Sequence, residues 1–390
     1  MDSRLAARAF AALLALEAAP AAEIVPALER VLADNFGAAE VRVLLADYRQ
    51  TALQDVSART DGSGPGWVPV DGTSLGRTFA SQNASVAESG SGFEAEVPVT
   101  ARSDRLGVLA VTLPRKPSAD EIEALTAIAR ALAHAMSVAN RHTDLFEAAA
   151  RSQRLSLAAE IQWQILPGRG CGGPDFDVAG QLEPAYHVAG DAFDWSVATE
   201  AVTVSVHEGM SSGTAAAMAT NLAVTALRNA RRSGMSLAEQ ASMADEALYG
   251  IYHGAHHIES LLLRFDRSGG PSHAIDAGSP LLLRQRGDNL EQVTFDKQLP
   301  LGRFSGTRYR EQQFEAVPGD RFIALTDGVH EAPGADAGRF GEAKLGSVLR
   351  SSRRLGASET VRQLIRELRS HYDDGDIGDD AAAVVIDWNG

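Results

Sequence analysis

Four times within residues 167–390, this chain sets a carboxylate beside a glycine at the end of an apolar strand. The segments are VAGDAFDW (188–195), VSVHEGMSSG (204–213), ALTDGV (324–329) and IGDDAAAVVID (377–387). Short apolar runs bounded by glycine turns read as strands, and a carboxylate at such a boundary sits where a sheet can bring it to others far away in sequence. Gathered carboxylates repel one another unless a cation lies among them. All-oxygen donors suit Mg²⁺ or Mn²⁺, and two such ions can share a water, lower its pKa and orient phosphate oxygens for in-line attack.

The strands that carry these groups come in neighbouring pairs rather than alternating with helices. VTVSV, SLLLRF, SHAIDA, RFIALTD and AAVVIDW are interspersed with helical runs such as TAAAMATNLAVTALRNARR and ASETVRQLIRELRSHY. This order predicts an α/β sandwich with antiparallel sheets in residues 167–390. With 36 basic and 51 acidic residues, a net charge of −15, the chain has no electrostatic case for nucleic acid or an anionic membrane. No stretch reaches the roughly 20 apolar residues of a membrane span. The single cysteine, Cys171, excludes an internal disulfide framework, fits a reducing compartment and predicts a cytoplasmic protein with an inert thiol. Arg4 and Arg8 precede an Ala/Leu run in the manner of a secretory leader, but Arg8 and Glu17 bracket only eight apolar residues. A packed or dimerising helix is expected there instead.

Residues 1–118 read as a separate α/β domain. Ile24, Leu28, Val31 and Leu32 have helical spacing, residues 41–47 form a strand, GSGPG (62–66) a turn, 69–82 a turn with a short helix, and 94–113 two strands about a polar turn. Ser118 is placed to cap a helix ahead of Asp120 and Glu121. From there Ile122, Leu125, Ala129, Leu132, Met136 and Ala139 keep a heptad-like spacing. One helical linker over 119–166, ending at Pro167, is expected, its seam either pairing two chains in a homodimer or packing on the first sheet. His134 and His142 on that helix are expected at the surface or in an interface.

Both halves carry family resemblances. Residues 20–140 resemble a GAF domain, a small sensory α/β module. The ligand or protein signal it would take is not legible. IQWQILPG, LEPAYHVAGDAFDW, LPLG, VPGDRF, TDGVHEA, a later FG and GDD, in that order over 155–390, resemble the SpoIIE-type branch of the PPM (type 2C) phosphatases. The resemblance implies an α-β-β-α sandwich that dephosphorylates phosphoserine or phosphothreonine in proteins such as anti-sigma-factor antagonists, using two Mn²⁺ or Mg²⁺ ions. It implies metal-holding, catalytic roles for Asp191, Glu208, Asp327 and Asp379, a backbone carbonyl from Gly209, and accessory places for Asp194 and Asp380.

Departures from the family pattern fall in the site motifs. Ala189 stands for a glycine, Glu208 for an aspartate, Ser211-Ser212-Gly213 for G-H-G, Ser279 for the histidine of A-G-H-P, and Ala382 for a threonine. A second class of function follows, a pseudophosphatase that keeps the fold and docks a partner. His207 alternates to the face opposite Glu208 and is expected in the core or at the surface rather than in the site. His253, His256 and His257 form a weak metal signal in a loop.

Overall fold

A computed structural model describes residues 3–57, 66–90, 92–184, 189–278, 280–334, 338–372 and 377–390. The chain divides into two compact units, Met1–Arg154 and Leu155–Gly390. The expected turn at 62–66 lies outside the described residues except for Gly66, as does Ser279.

In the first unit, strands β1 (Glu40–Ala46), β2 (Ala52–Asp55), β3 (Trp67–Pro69), β4 (Ser85–Ser89), β5 (Gly92–Ala101) and β6 (Asp104–Leu113) form an antiparallel sheet in the order β3-β2-β1-β6-β5-β4. Period-two alternation gives it two apolar faces. Val43, Leu45, Val97, Leu109 and Val111 pack under the helices Ser3–Ala18, Ile24–Phe36 and Ala119–Ala139. Leu44, Ala46, Leu53, Val108 and Ala110 pack with Leu75 and Phe79 of the helix Ser74–Ser81. On that second face the buried Glu96 accepts hydrogen bonds from the hydroxyls of Thr78 and Ser85 at 2.9 and 2.8 Å.

Ser118 caps its helix as expected. Its hydroxyl accepts from the Glu121 amide and Glu121 Oε2 accepts from the Ser118 amide, a reciprocal capping box. The helix does not run on to Pro167. It stops at Ala139, and two further helices follow, Leu145–Ala149 and Leu157–Ile165. The last restarts because the Ser156 hydroxyl accepts from the Ala159 amide, a local bond that a continuous helix would not offer. The seam residues Leu125, Ala129, Leu132, Met136 and Ala139 are buried in the first unit's own core. They therefore pack on the first sheet, the alternative to a coiled coil. Ala119–Ala139 is also, among the described residues, the one helix long and apolar enough to cross a membrane, and its apolar face is the one in that core.

The second unit is a sandwich. One sheet has the order β15-β12-β11-β10-β9 and the other β14-β13-β16-β19-β8-β7. The strands are β7 (Gly170–Gly172), β8 (Phe176–Glu183), β9 (Ala192–Val197), β10 (Ala201–Gly209), β11 (Ile258–Asp266), β12 (Ser272–Ala277), β13 (Leu281–Arg286), β14 (Asn289–Gln292), β15 (Gln312–Phe314), β16 (Asp320–Leu325) and β19 (Ala381–Trp388). Two short strands, β17 (Pro333–Gly334) and β18 (Gly338–Arg339), pair separately. Every pairing is antiparallel among the described residues.

Inward-facing residues alternate along each strand and meet between the sheets. Phe193 and Trp195, Val202, Val204 and Val206, and Leu261, Leu263 and Phe265 face Phe322 and Ala324, and Ala382, Val384, Ile386 and Trp388. The outer faces are covered by the helices Gly213–Arg232 and Leu237–Tyr252 on one side and Gly346–Ser351 and Ala357–Arg369 on the other. The expected α-β-β-α layering is what the chain adopts. Cys171 sits half-buried on β7.

Candidate active site

The inward rows continue past the apolar core at one end of the sandwich, and there they turn acidic. Asp191 lies two residues before Phe193, Glu208 two after Val206, Glu259 two before Leu261, Asp276 two after Ala274, Thr326 two after Ala324 and Asp380 two before Ala382. Strand alternation places all six on the row that faces the opposing sheet. The register brings their strand ends together, since His207 pairs Ala192, Glu208 pairs Glu259 and Leu325 pairs Ala383. Asp327 and Asp379 follow and precede these positions by one residue.

Each carboxylate has its own surroundings. Asp191 is 2% exposed. Its Oδ1 accepts from the Gly209 amide at 3.2 Å, and its Oδ2 is buried with no hydrogen-bond partner. Burial, and then the charges of Asp380, Glu208 and Asp327, hold its pKa well above the usual carboxylate range. Glu208 is pushed up to about 9 by burial and by Asp327, although its Oε1 accepts from the Asp327 amide at 3.0 Å. Asp379 is raised by burial and by Asp327. Asp276, which sequence reasoning missed, is raised chiefly by burial, with Glu259 adding to it.

Asp380 is fully buried, and its Oδ2 gathers the amides of Ala189, Gly190 and Asp191 at 2.8, 2.8 and 3.3 Å. The same oxygen accepts from Gln162 Nε2 at 2.6 Å, and Gln162 also donates to the Asp191 carbonyl at 2.7 Å. Asp380 thus anchors the loop that presents Asp191. Asp194 is elsewhere. Its oxygens are held by Arg228 at 2.8 Å and Arg231 at 2.9 Å, both on the helix Gly213–Arg232, so it is an ion-pair partner rather than a member of the cluster.

Two glycines permit the close approach. A Cβ on Gly328 would overlap the Asp380 carbonyl, and one on Gly209 the Ala189 carbonyl. Thr326 latches β16 to β19, its amide donating to the Ala382 carbonyl and its hydroxyl accepting from the Ala382 amide. His207 is fully buried between the hydroxyls of Ser205 and Ser260, each at 2.9 Å, and burial lowers it to about 4, which keeps it neutral in the core, one of the two places expected for it. His134 and His142 are exposed. His256 shares a hydrogen bond with the Ser211 hydroxyl at 3.2 Å, while His253 closes a helix in left-handed geometry. Among the described residues, the three loop histidines form no metal cluster.

The donor set is chemically that of a hard divalent cation, and the orphaned Oδ2 of Asp191 is a ligand atom in want of a partner. Among the described residues, however, no three carboxylate, imidazole or thiol side chains stand close enough to form a ready-made ion cage. The groups share one end of the sandwich and feel one another's charge without chelating geometry.

Residues 199–389 match the family described as Stage II sporulation protein E (SpoIIE). No curated protein matches the chain. Among solved structures it is similar to the RsbU and RsbW domains of a Mycobacterium tuberculosis protein, at 22% identity and a TM-score of 0.48, over 56% of this chain and 62% of that one. It is similar to the PP2C phosphatase domain and regulatory fragment of SpoIIE from Bacillus subtilis, at 19% identity and 0.44, over 54% and 63%. The catalytic domain of the phosphatase PstP in complex with two manganese ions is similar at 15% and 0.42, over 55% and 98%. The chain thus spans less than two thirds of the first two structures.

Proposed function

We propose that this chain, whose residues 199–389 match the SpoIIE family, is a metal-dependent phosphoserine/phosphothreonine protein phosphatase. The observation that carries this reading is the acidic continuation of the inward rows, which sets Asp191, Glu208, Asp327 and Asp379 at one end of the sandwich. Those four would hold Mg²⁺ or Mn²⁺, with Gly209 lending its carbonyl. When bound, the ions would supply a water of lowered pKa and the positive charge a phosphoryl group needs. Asp380 and Gln162 hold Asp191 in place, and the flanking apolar core keeps bulk water from one side of the cluster.

The first unit, with its central antiparallel sheet and helices on both faces, is read as a GAF-like sensor. Its signal would bias the helix Leu157–Ile165, the element that follows it in sequence and carries Gln162. The substrate would be a phosphoprotein of the anti-sigma-factor-antagonist type, and the setting cytoplasmic.

A second reading has its own support. Glu208 engages the Asp327 amide, Ser211 and Ser212 replace a glycine and a histidine, and no ready ion cage is present among the described residues. A docking pseudophosphatase fits those facts. Mn²⁺-dependent hydrolysis of an aryl phosphate decides between the two. Activity that disappears in Asp327→Asn establishes the enzyme. Absence of both turnover and Mn²⁺ binding at millimolar ion leaves the docking module.

A further inference from the structure

The acidic end of the sandwich presents a problem for any phosphorylated substrate. Asp191, Glu208, Glu259, Asp276, Asp327, Asp379 and Asp380 lie at its strand ends, and each of them that is ionised repels a phosphoryl dianion. Lys297 acts electrostatically on Glu208, on Asp276 and on His330, which lies on the same short helix as Asp327.

Its backbone is fixed. The segment that carries it is bonded to three strands: the Val293 amide donates to the Leu282 carbonyl at 2.9 Å, the Gln298 amide to the Asp276 carbonyl at 2.7 Å, and Leu301 exchanges bonds with Ile258 at 2.9 and 3.0 Å. Reciprocal side-chain bonds clamp both neighbours of Lys297. The Asp296 amide donates to Gln312 Oε1 while Gln312 Nε2 donates to the Asp296 carbonyl, and Gln298 does the same with Arg310. The lysine itself is exposed and makes no ion pair among the described residues. A rigid strap, bonded at Gln298 to the Asp276 carbonyl, therefore carries an uncommitted ammonium within electrostatic reach of Asp276 and Glu208.

We propose that Lys297 is the phosphate-binding residue of this site, its ammonium pairing with a non-bridging oxygen of the substrate phosphoryl group. This rests on the phosphatase reading above. A lysine suits the role as a compact point charge with three donors, and a charge-assisted bond to phosphate is among the stronger polar contacts. The strap supplies position, and exposure lets the side chain meet a macromolecular substrate.

The test uses the full chain loaded with Mn²⁺, comparing Lys297→Met and Lys297→Arg with the parent. The readouts are KM for a phosphoserine peptide, kcat, and the inhibition constant of inorganic phosphate. Lys297→Met is expected to raise KM and the phosphate constant about tenfold each, with kcat within about threefold and an unchanged thermal midpoint. Lys297→Arg is expected to recover most of the loss. An unchanged KM and phosphate constant overturns the proposal, as does a loss confined to kcat. If the parent shows no turnover, the phosphatase reading fails by itself. Calorimetric titration of inorganic phosphate into the same Mn²⁺-loaded proteins then decides on Lys297: weakened binding in Lys297→Met sustains it, and equal binding overturns it.

Discussion

Gln162 Nε2 lies 2.6 Å from Asp380 Oδ2, a buried bond between residues 218 positions apart. Through it, a helix that precedes the sandwich in sequence grips the carboxylate that gathers the amides of 189–191. Gln162 also donates to the Asp191 carbonyl, so one amide group spans both sides of the loop. Truncation in Gln162→Ala leaves the Asp191 carbonyl without this donor and opens space beside a buried carboxylate. The expected cost is about 1–3 kcal/mol of stability in denaturant unfolding, with weaker Mn²⁺ binding by calorimetry. Unchanged ion affinity would show that the loop keeps its shape without the glutamine.

Asp194 provides the opposite control. Its two oxygens are taken by Arg228 and Arg231, and it is 2% exposed. Removing the charge in Asp194→Asn leaves two half-buried guanidinium groups uncompensated, and the expected loss is about 3–5 kcal/mol of stability. Mn²⁺ affinity of the folded variant is expected to match the parent. A large drop in affinity with stability intact would return Asp194 to the ion-binding set.

Much of this was legible in the sequence, for physical reasons that differ by residue. The sandwich follows from paired strand runs, and Asp327 and Gly328 from a turn in which a larger residue would strike the Asp380 carbonyl. His207 follows from alternation alone. Asp194 was misread because its partners, Arg228 and Arg231, lie on a helix more than thirty residues away, where spacing carries no signal. Glu259 and Asp276 could have been found by extending the inward rows of β11 and β12; Glu259 has no motif glycine beside it, whereas Asp276 stands two residues before Gly278 and accepts from its amide. The break between Ala139 and Leu157 was missed because heptad spacing outweighed the polar run 140–144 and the capping signal at Ser156.

Glu208 makes the ion-free protein sensitive to pH. Burial and Asp327 raise its carboxyl to about 9, against an ordinary value of 4.5. A raised folded-state pKa stabilises the fold fully below the unfolded value, and that contribution is lost as pH rises toward 9. Ion-free protein is therefore expected to lose roughly 4 kcal/mol between pH 6 and 9. Glu208→Gln should flatten this decline, and Mn²⁺ should reverse it in the parent by favouring the ionised carboxylate. Thermal midpoints across that range, with chelator and with Mn²⁺, check the sign. A midpoint that climbs with pH in chelator would contradict it.

The first unit has a pH response of opposite sign. The Arg115 guanidinium, bonded to both oxygens of Glu121, together with the Ser118 amide, holds Glu121 down to about 2. A depressed carboxylate stabilises the fold above its unfolded value, here 4.5, and that contribution is lost as pH falls through 2. Because the pair closes the capping box of Ala119–Ala139, the helix whose apolar face fills the first core, the loss is transmitted to the whole unit. Glu121→Gln is expected to cost about 1–2 kcal/mol at pH 7, since an amide can still reach the Ser118 amide but gains nothing from Arg115. The gap between variant and parent should shrink from pH 4.5 downward and close near pH 2. Urea unfolding of the first unit, followed over that range, measures both quantities, and a gap that persists at pH 2 would assign the cost to packing rather than to the charge on Glu121.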